Sequence, residues 1–361
     1  MWICMVIFFA FLASYCSIFM IKPVAEKVGL VDTPCNRKRH VGAIPLIGGV
    51  SIFFAVLISI IVFLPMERRL VVYLICAAAI VLLGVIDDYR QLGVKVRLCV
   101  QSLVALLMMW GSETYIHNLG NVFGFGGIEL GYWGIPFTVV AVIAAINAFN
   151  MIDGIDGLAG AMSIITFAAI LVLMIINGGE LSVLPLIIIA TIVPYLAFNL
   201  GVLGHKNRKI FMGDAGSMFI GLSVIWLLMI ATQSSTSNAF SPVTALWIIS
   251  IPLMDMMAII IRRIKKRQSP FMADRDHLHH VFMRIGFSSR KALASISFFA
   301  IIFAAIGVLG ELIGVPEYLM LILFVVVFIS YSACIQHAWK VARFLRKYIF
   351  KKQAVRVRKY E

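Results

Sequence analysis

The chemically capable side chains of this 361-residue chain are gathered in a few short stretches. Gly84-Val85-Ile86-Asp87-Asp88-Tyr89-Arg90 sets two carboxylates side by side. Neighbours on a helix point about 100° apart, so two such charges require a metal, a proton or a cationic partner, and Arg90, Lys95 and Arg97 are at hand. Asn147-Ala148-Phe149-Asn150-Met151-Ile152-Asp153-Gly154-Ile155-Asp156-Gly157-Leu158 puts Asn147 and Asn150 on one helix face, then adds two carboxylates and two glycines that allow a tight turn near a phosphate or sugar. Amide and carboxylate oxygens are hard ligands suited to Mg²⁺ or Mn²⁺. Phe211-Met212-Gly213-Asp214-Ala215-Gly216-Ser217 displays Asp214 between glycines, as a metal ligand beside a phosphate site at a helix start would be, or as a plain N-cap. Asp274-Arg275-Asp276-His277-Leu278-His279-His280 combines a guanidinium with imidazoles, a set able to contact phosphates and sugar hydroxyls. Zinc is disfavoured there, because cysteine partners and HExxH spacing are both missing.

A further stretch runs from Asp32 through Arg37-Lys38-Arg39-His40 to Gly48-Gly49, bases followed by paired glycines that open an apolar run as a second phosphate site would. Asp255 stands alone within an apolar run, either paired to a neighbouring helix or functional. Each stretch has a plainer reading on its own: a hydrated helix end, a structural turn, loop charge, solvated histidines. Acids suited to a metal and bases suited to phosphates, recurring in separate loops, point instead to pyrophosphate chemistry at a lipid surface.

The elements that must hold these residues are membrane helices. The chain is 62% hydrophobic and 13% charged, against about 45–50% and about 25% for a soluble domain, so a water-exposed globule, a disordered chain and a collagen-like fibre are excluded. Long apolar runs also exclude an outer-membrane barrel. Eleven spans are expected near 2–22, 44–64, 70–87, 98–112, 134–150, 159–177, 181–199, 212–231, 243–261, 293–313 and 319–339, with Pro185, Pro194 and Pro252 kinking helices without breaking them. The expected fold is therefore an all-α polytopic membrane protein, one membrane-embedded domain over 1–361 with a basic tail from about 340. An N-terminus outside places 29 of 31 Lys and Arg in inside loops and only Arg68 and Arg69 outside, which puts the C-terminus in the cytoplasm. The net charge of +14 is thus a topology signal and not a nucleic-acid surface. All nine Asp and every His but His117 fall at the inner face, a sorting that the positive-inside rule does not require. The six cysteines are scattered without a CxxC pair and read as small hydrophobes, and Met1–Met20 reads as an uncleaved first span.

On these motifs the chain resembles the polyprenyl-phosphate N-acetylhexosamine-1-phosphate transferase family, from the Arg37–Gly49 loop through Asp87-Asp88, Asn147–Leu158, Phe211–Ser217 and His277–His280 to the basic tail. The resemblance implies transfer of GlcNAc-1-phosphate from UDP-GlcNAc to undecaprenyl phosphate at the cytoplasmic face of a bacterial inner membrane, with release of UMP. It places that step first in enterobacterial common antigen and O-antigen lipopolysaccharide synthesis. By the same resemblance Asp214 and Asn150 would hold Mg²⁺ or Mn²⁺, and Asp87 would act as base or orienting group with Asp88 beside it. Asp153 and Asp156 would position the nucleotide and support the metal. Arg275, His277, His279 and His280 would bind diphosphate and sugar, Lys38 and Arg97 would contact phosphate, and Asn147 would take part in substrate binding. The sequence departs from the family at Gln91, where many relatives carry the Lys of DDxxK, so Lys95 or Arg97 is expected to supply that charge.

Three alternatives are weighed. A phospho-MurNAc-pentapeptide transferase typically has contiguous histidines, whereas Leu278 interrupts them here. A CDP-alcohol phosphotransferase needs DGxxAR followed by GxxxDxxxD, and the continuation is missing after Asp153. A secondary transporter should carry its polar residues near the midplane at a repeat interface, not at one face. A single chain and a homo-oligomer both stay open.

Overall fold

The structure is a computed structural model that describes residues 1–33, 42–178, 183–205, 208–233, 238–270 and 277–337. Lys38, Arg275 and the basic tail lie outside the described residues. The described chain is built from α-helices, with one small hairpin of strands β1 (Val31–Asp32) and β2 (Ile44–Pro45). Helices α1 (Trp2–Val28), α3 (Arg68–Arg90), α4 (Val94–Ser112), α5 (Gly134–Ile152), α6 (Leu158–Ile176), α8 (Gly213–Thr232), α12 (Ser289–Ile313) and α13 (Glu317–Gln336) account for eight segments long and apolar enough to cross a bilayer. A short helix α11 (Leu278–Ile285) precedes α12.

The other three expected spans differ from the expectation in instructive ways. Helix α2 (Gly48–Phe63) has 16 residues and α7 (Val183–Asn199) has 17, about 24–26 Å of rise against a hydrocarbon core of about 30 Å. Helix α2 starts late because residues 44–47 serve another purpose. Ile44 and Pro45 pair with β1, and Leu46 forms a bridge with Phe211. The amides of Gly48 and Gly49 then donate to the carbonyls of Phe211 and Met212, both at 2.9 Å.

The expected span 243–261 is broken. It forms α9 (Pro242–Ile248) and α10 (Ser250–Lys265), bent by 82°. Pro252 has no N–H to return to the carbonyl of Ile248, and the Thr166 hydroxyl lies 3.5 Å from that carbonyl in its place. Pro194, by contrast, sits inside an unbroken α7.

Helix α8 is the axis of the bundle, buried continuously from Ala215 to Thr232, and its apolar circumference suits a helix with neighbours on every side. Its first turn touches α2 and α3 backbone to backbone. A Cβ on Gly49 would fall 2.1 Å from the Gly216 Cα, and one on Gly84 would fall 2.3 Å from the Ala215 Cα. The paired glycines that the sequence offered as a phosphate site are thus filled by protein, since in a bilayer small residues let helices approach closely.

Candidate active site

The carboxylate and amide motifs converge where α3 and α5 end and α8 begins. The first junction is made by Asp88. Its Oδ1 accepts the Asp214 amide at 2.9 Å and its Oδ2 the Ala215 amide at 3.3 Å, so the carboxylate of one helix caps the N-terminus of another. Gly213, at φ +71°, permits this approach, since a Cβ there would lie 2.5 Å from the Asp88 Oδ2. Asp214 is accordingly a first-turn residue of α8 and not its cap. Its Oδ1 accepts a 2.8 Å hydrogen bond from the Asn150 amide nitrogen, which also donates to Ser217 at 3.0 Å.

Asp87 is buried at 4% exposure and both of its oxygens are engaged. Oδ1 accepts the Leu92 amide at 2.7 Å, and Oδ2 accepts from Arg97 at 2.8 Å. Gln91, the departure from DDxxK, adopts the left-handed conformation that ends α3, and Arg97 on α4 brings the cation to the pair. One turn deeper on α4, Gln101 accepts from Asn147 at 2.8 Å, which binds Asn147 into the α4–α5 contact.

Asp153 and Asp156 follow α5. Burial pushes the Asp153 carboxyl up to about 7, with the fields of Asp214 and Asp156 adding to it. Asp156 instead pairs with Lys209 at 2.6 Å, and that ammonium also lies 5.1 Å from the centre of the Phe211 ring. Asn199 ties the Gly157 turn to the segment before α8, accepting from the Gly157 amide and donating to the Ile210 carbonyl at 2.8 Å.

The histidines close one side. A Cβ on Gly154 would meet the His279 Cε1 at 2.1 Å, so this ring packs on the bare backbone of the Asp153 turn. His279 is buried, and burial followed by neighbouring His280 lowers its imidazole to about 3. His277 and His279 stack in parallel with ring centres 6.0 Å apart, and His279 and His280 lie at 4.2 Å. Asp255 on α10 anchors this segment. It takes the His277 Nδ1 at 2.9 Å, the Leu278 amide at 3.0 Å and the Tyr331 hydroxyl at 2.8 Å.

Residues 70–232 match glycosyl transferase family 4. Curated relatives named undecaprenyl-phosphate alpha-N-acetylglucosaminyl 1-phosphate transferase match nearly end to end. The Yersinia pestis protein is 45% identical over 94% of this chain and 93% of its own length. The Escherichia coli K12 protein is 47% identical over 93% and 92%. The Haemophilus influenzae protein is 42% identical over 98% and 99%. This chain belongs to glycosyl transferase family 4.

In this family 4 transferase the structure brings Asp87, Asp88, Arg97, Asn147, Asn150, Asp153, Asp156, Asp214 and His279 to one end of the bundle, with His277 and His280 alongside. Among the described residues no three His, Cys, Asp or Glu side chains already form a metal cluster. The donor chemistry nevertheless fits a hard divalent cation. Asp153 and Asp214 stand in each other's field, Arg97 is committed to Asp87, and Asp88 is committed to the α8 amides. Such a cation would complete its shell with substrate oxygens, as Mg²⁺ does when bound to phosphates. Sequence reasoning overlooked Lys209, counted only as loop charge, and Asn199, Gln101 and Tyr331, which lie in apolar runs with nothing in their spacing to mark them.

Proposed function

We propose that this chain transfers GlcNAc-1-phosphate from UDP-GlcNAc to undecaprenyl phosphate, leaving an undecaprenyl-pyrophosphoryl sugar and UMP. The convergence of three helix ends on one carboxylate cluster served by Arg97 carries the reading, since a membrane-tethered phosphate and a cytosolic nucleotide sugar can meet only at such a face. The relatives' names supply the substrates, and the loop charges support an N-terminus outside and a site on the cytoplasmic side of the inner membrane.

In the reaction an oxygen of the lipid phosphate forms a bond to the β-phosphorus of the donor. The bond from that phosphorus to the bridging oxygen breaks, and its electrons leave with UMP. Asp214, steadied by Asn150, and Asp153 would hold Mg²⁺ or Mn²⁺, which when bound neutralises charge on the diphosphate. Arg97, oriented by Asp87, receives the acceptor phosphate. Lys209 and Asp156 flank the nucleotide, and the histidines face diphosphate and sugar. Direct attack is favoured over a phosphosugar-Asp87 intermediate because Asp87 is buried with both oxygens engaged, while the acceptor phosphate is already anionic.

The test combines purified protein, undecaprenyl phosphate, Mg²⁺ and radiolabelled UDP-GlcNAc or UDP-MurNAc-pentapeptide. Label entering lipid from UDP-GlcNAc alone is expected. Label from the pentapeptide donor would assign the peptidoglycan reaction instead, and label from neither would end the transferase reading.

A further inference from the structure

Asp255 is the innermost acid of α10 and one of the most deeply buried charged side chains in the molecule, at 1% exposure. It is outside the carboxylate cluster, and its three contacts tie α10 to two other elements, α11 with its cap and α13. The Tyr331 hydroxyl comes from α13 and the Leu278 amide from the start of α11, both to Oδ1; the His277 Nδ1 comes from the residue that caps α11, to Oδ2. The 82° break at Ile249 sets the direction of α10, and so where along it Asp255 is presented. A buried carboxylate can only accept hydrogen bonds, so the His277 Nδ1 carries its proton toward Asp255. Whatever this ring offers a ligand, it offers through Nε2.

We propose that Asp255 is a positioning residue that fixes the orientation of His277 and balances its charge, so that Nε2–H leads toward the diphosphate of the sugar nucleotide. The proposal rests on the assignment of His277 to the donor substrate made above. Phosphate oxygens only accept, so the Nε2 that meets them must carry a proton. With Nδ1–H already committed, the bound ring is the imidazolium, and Asp255 supplies the compensating charge. Tyr331 and the Leu278 amide fix the carboxylate itself. His279 and His280 are the other titratable groups stacked on this segment, and Arg262 and Arg263 lie two turns further along α10.

Asp255→Asn distinguishes a positioning role from simple packing, because it keeps the shape. Its carbonyl would turn to the two donors now on Oδ1, which leaves its NH₂ facing the His277 Nδ1. That leaves a neutral ring with its proton on Nε2 and removes the compensating charge.

The experiment is a double-mutant cycle read as separate KM values for UDP-GlcNAc and undecaprenyl phosphate. Wild type, Asp255→Asn, His277→Ala and the double variant are each purified in detergent. Asp255→Asn is expected to raise KM for UDP-GlcNAc by about tenfold, the scale on which a charge-assisted hydrogen bond exceeds the neutral one that Nε2–H still makes, with the acceptor KM unchanged. On the His277→Ala background it should add less than about twofold, since its partner is already gone. Tyr331→Phe, which leaves the His277 contact intact, should move the same KM by about threefold. The proposal is overturned if Asp255→Asn behaves as wild type while His277→Ala is impaired, if its full effect persists on the His277→Ala background, or if both KM values shift alike. An unimpaired His277→Ala enzyme would overturn the donor assignment of His277 itself, and the positioning role with it.

Discussion

Arg97→Ala removes the cation from a carboxylate that is 4% exposed and also accepts the Leu92 amide. A buried pair broken from one side typically costs about 3–5 kcal/mol, because the remaining charge is left uncompensated. The Arg97 side chain is itself 23% exposed, so water reaches the gap and the cost should fall near the lower end, about 3 kcal/mol. For a chain of this length that corresponds to a thermal midpoint lower by about 5 °C in detergent. Adding Asp87→Asn removes the stranded charge, and the double variant should recover most of that loss. Lipid-linked product should stay low in both, because the fork that meets the acceptor phosphate is absent in each. The assay is therefore paired: thermal unfolding of the solubilised protein and labelled transfer on the same preparations. A double variant no more stable than Arg97→Ala, or an Arg97→Ala protein with wild-type stability, would refute the reasoning that this ion pair balances charge inside the bundle.

Four further outcomes follow from the same geometry. With the Asp153 carboxyl raised to about 7, the substrate-free protein holds a proton there that the unfolded chain gives up near 4, so this contribution to stability should be lost as pH rises from about 4 to about 7 and stay constant above that. Transfer that needs the ionised carboxylate should rise over the same range, and Asp153→Asn should remove that carboxyl's share of the stability trend, checked by unfolding profiles of both proteins and the wild-type rate profile from pH 5 to 9. Gly154→Ala should cut turnover at least tenfold, because its Cβ would land 2.1 Å from the His279 Cε1, and His279→Ala on that background should relieve the destabilisation in a thermal scan. Removing divalent cations with EDTA should stop transfer, with Mg²⁺ or Mn²⁺ restoring it. Asp214→Asn should remain inserted in membranes yet inactive in the presence of either ion.

Much of this arrangement was legible in the residues themselves, and what was not has physical causes. Apolar run length located helices in all eleven expected segments, because the bilayer imposes one scale on every span. It failed at 44–47, where β pairing with Val31–Asp32 took precedence, and at Ile249, where Pro252 turned a kink into an 82° break. Composition identified Asp87, Asp153 and Asp214 as acids at one depth, but it could not show that Asp88 would cap α8, since that bond joins residues 126 apart in the chain. Likewise, glycine near an acid is compatible with a phosphate cradle and with helix packing alike. Only the contacts of Gly49 with Gly216 and of Gly84 with Ala215 separate the two. Lys209 shows the opposite limit: counted as one of many inside charges, it pairs specifically with Asp156.

The central claim is that a sugar phosphate, and not a sugar alone, is moved to the lipid. It is tested most directly with UDP-GlcNAc labelled at the β-phosphorus, incubated with the purified protein, undecaprenyl phosphate and Mg²⁺. The label is expected to enter the lipid pyrophosphate in equal amount to the UMP released. Label retained on the nucleotide as UDP, with sugar on the lipid, would contradict it.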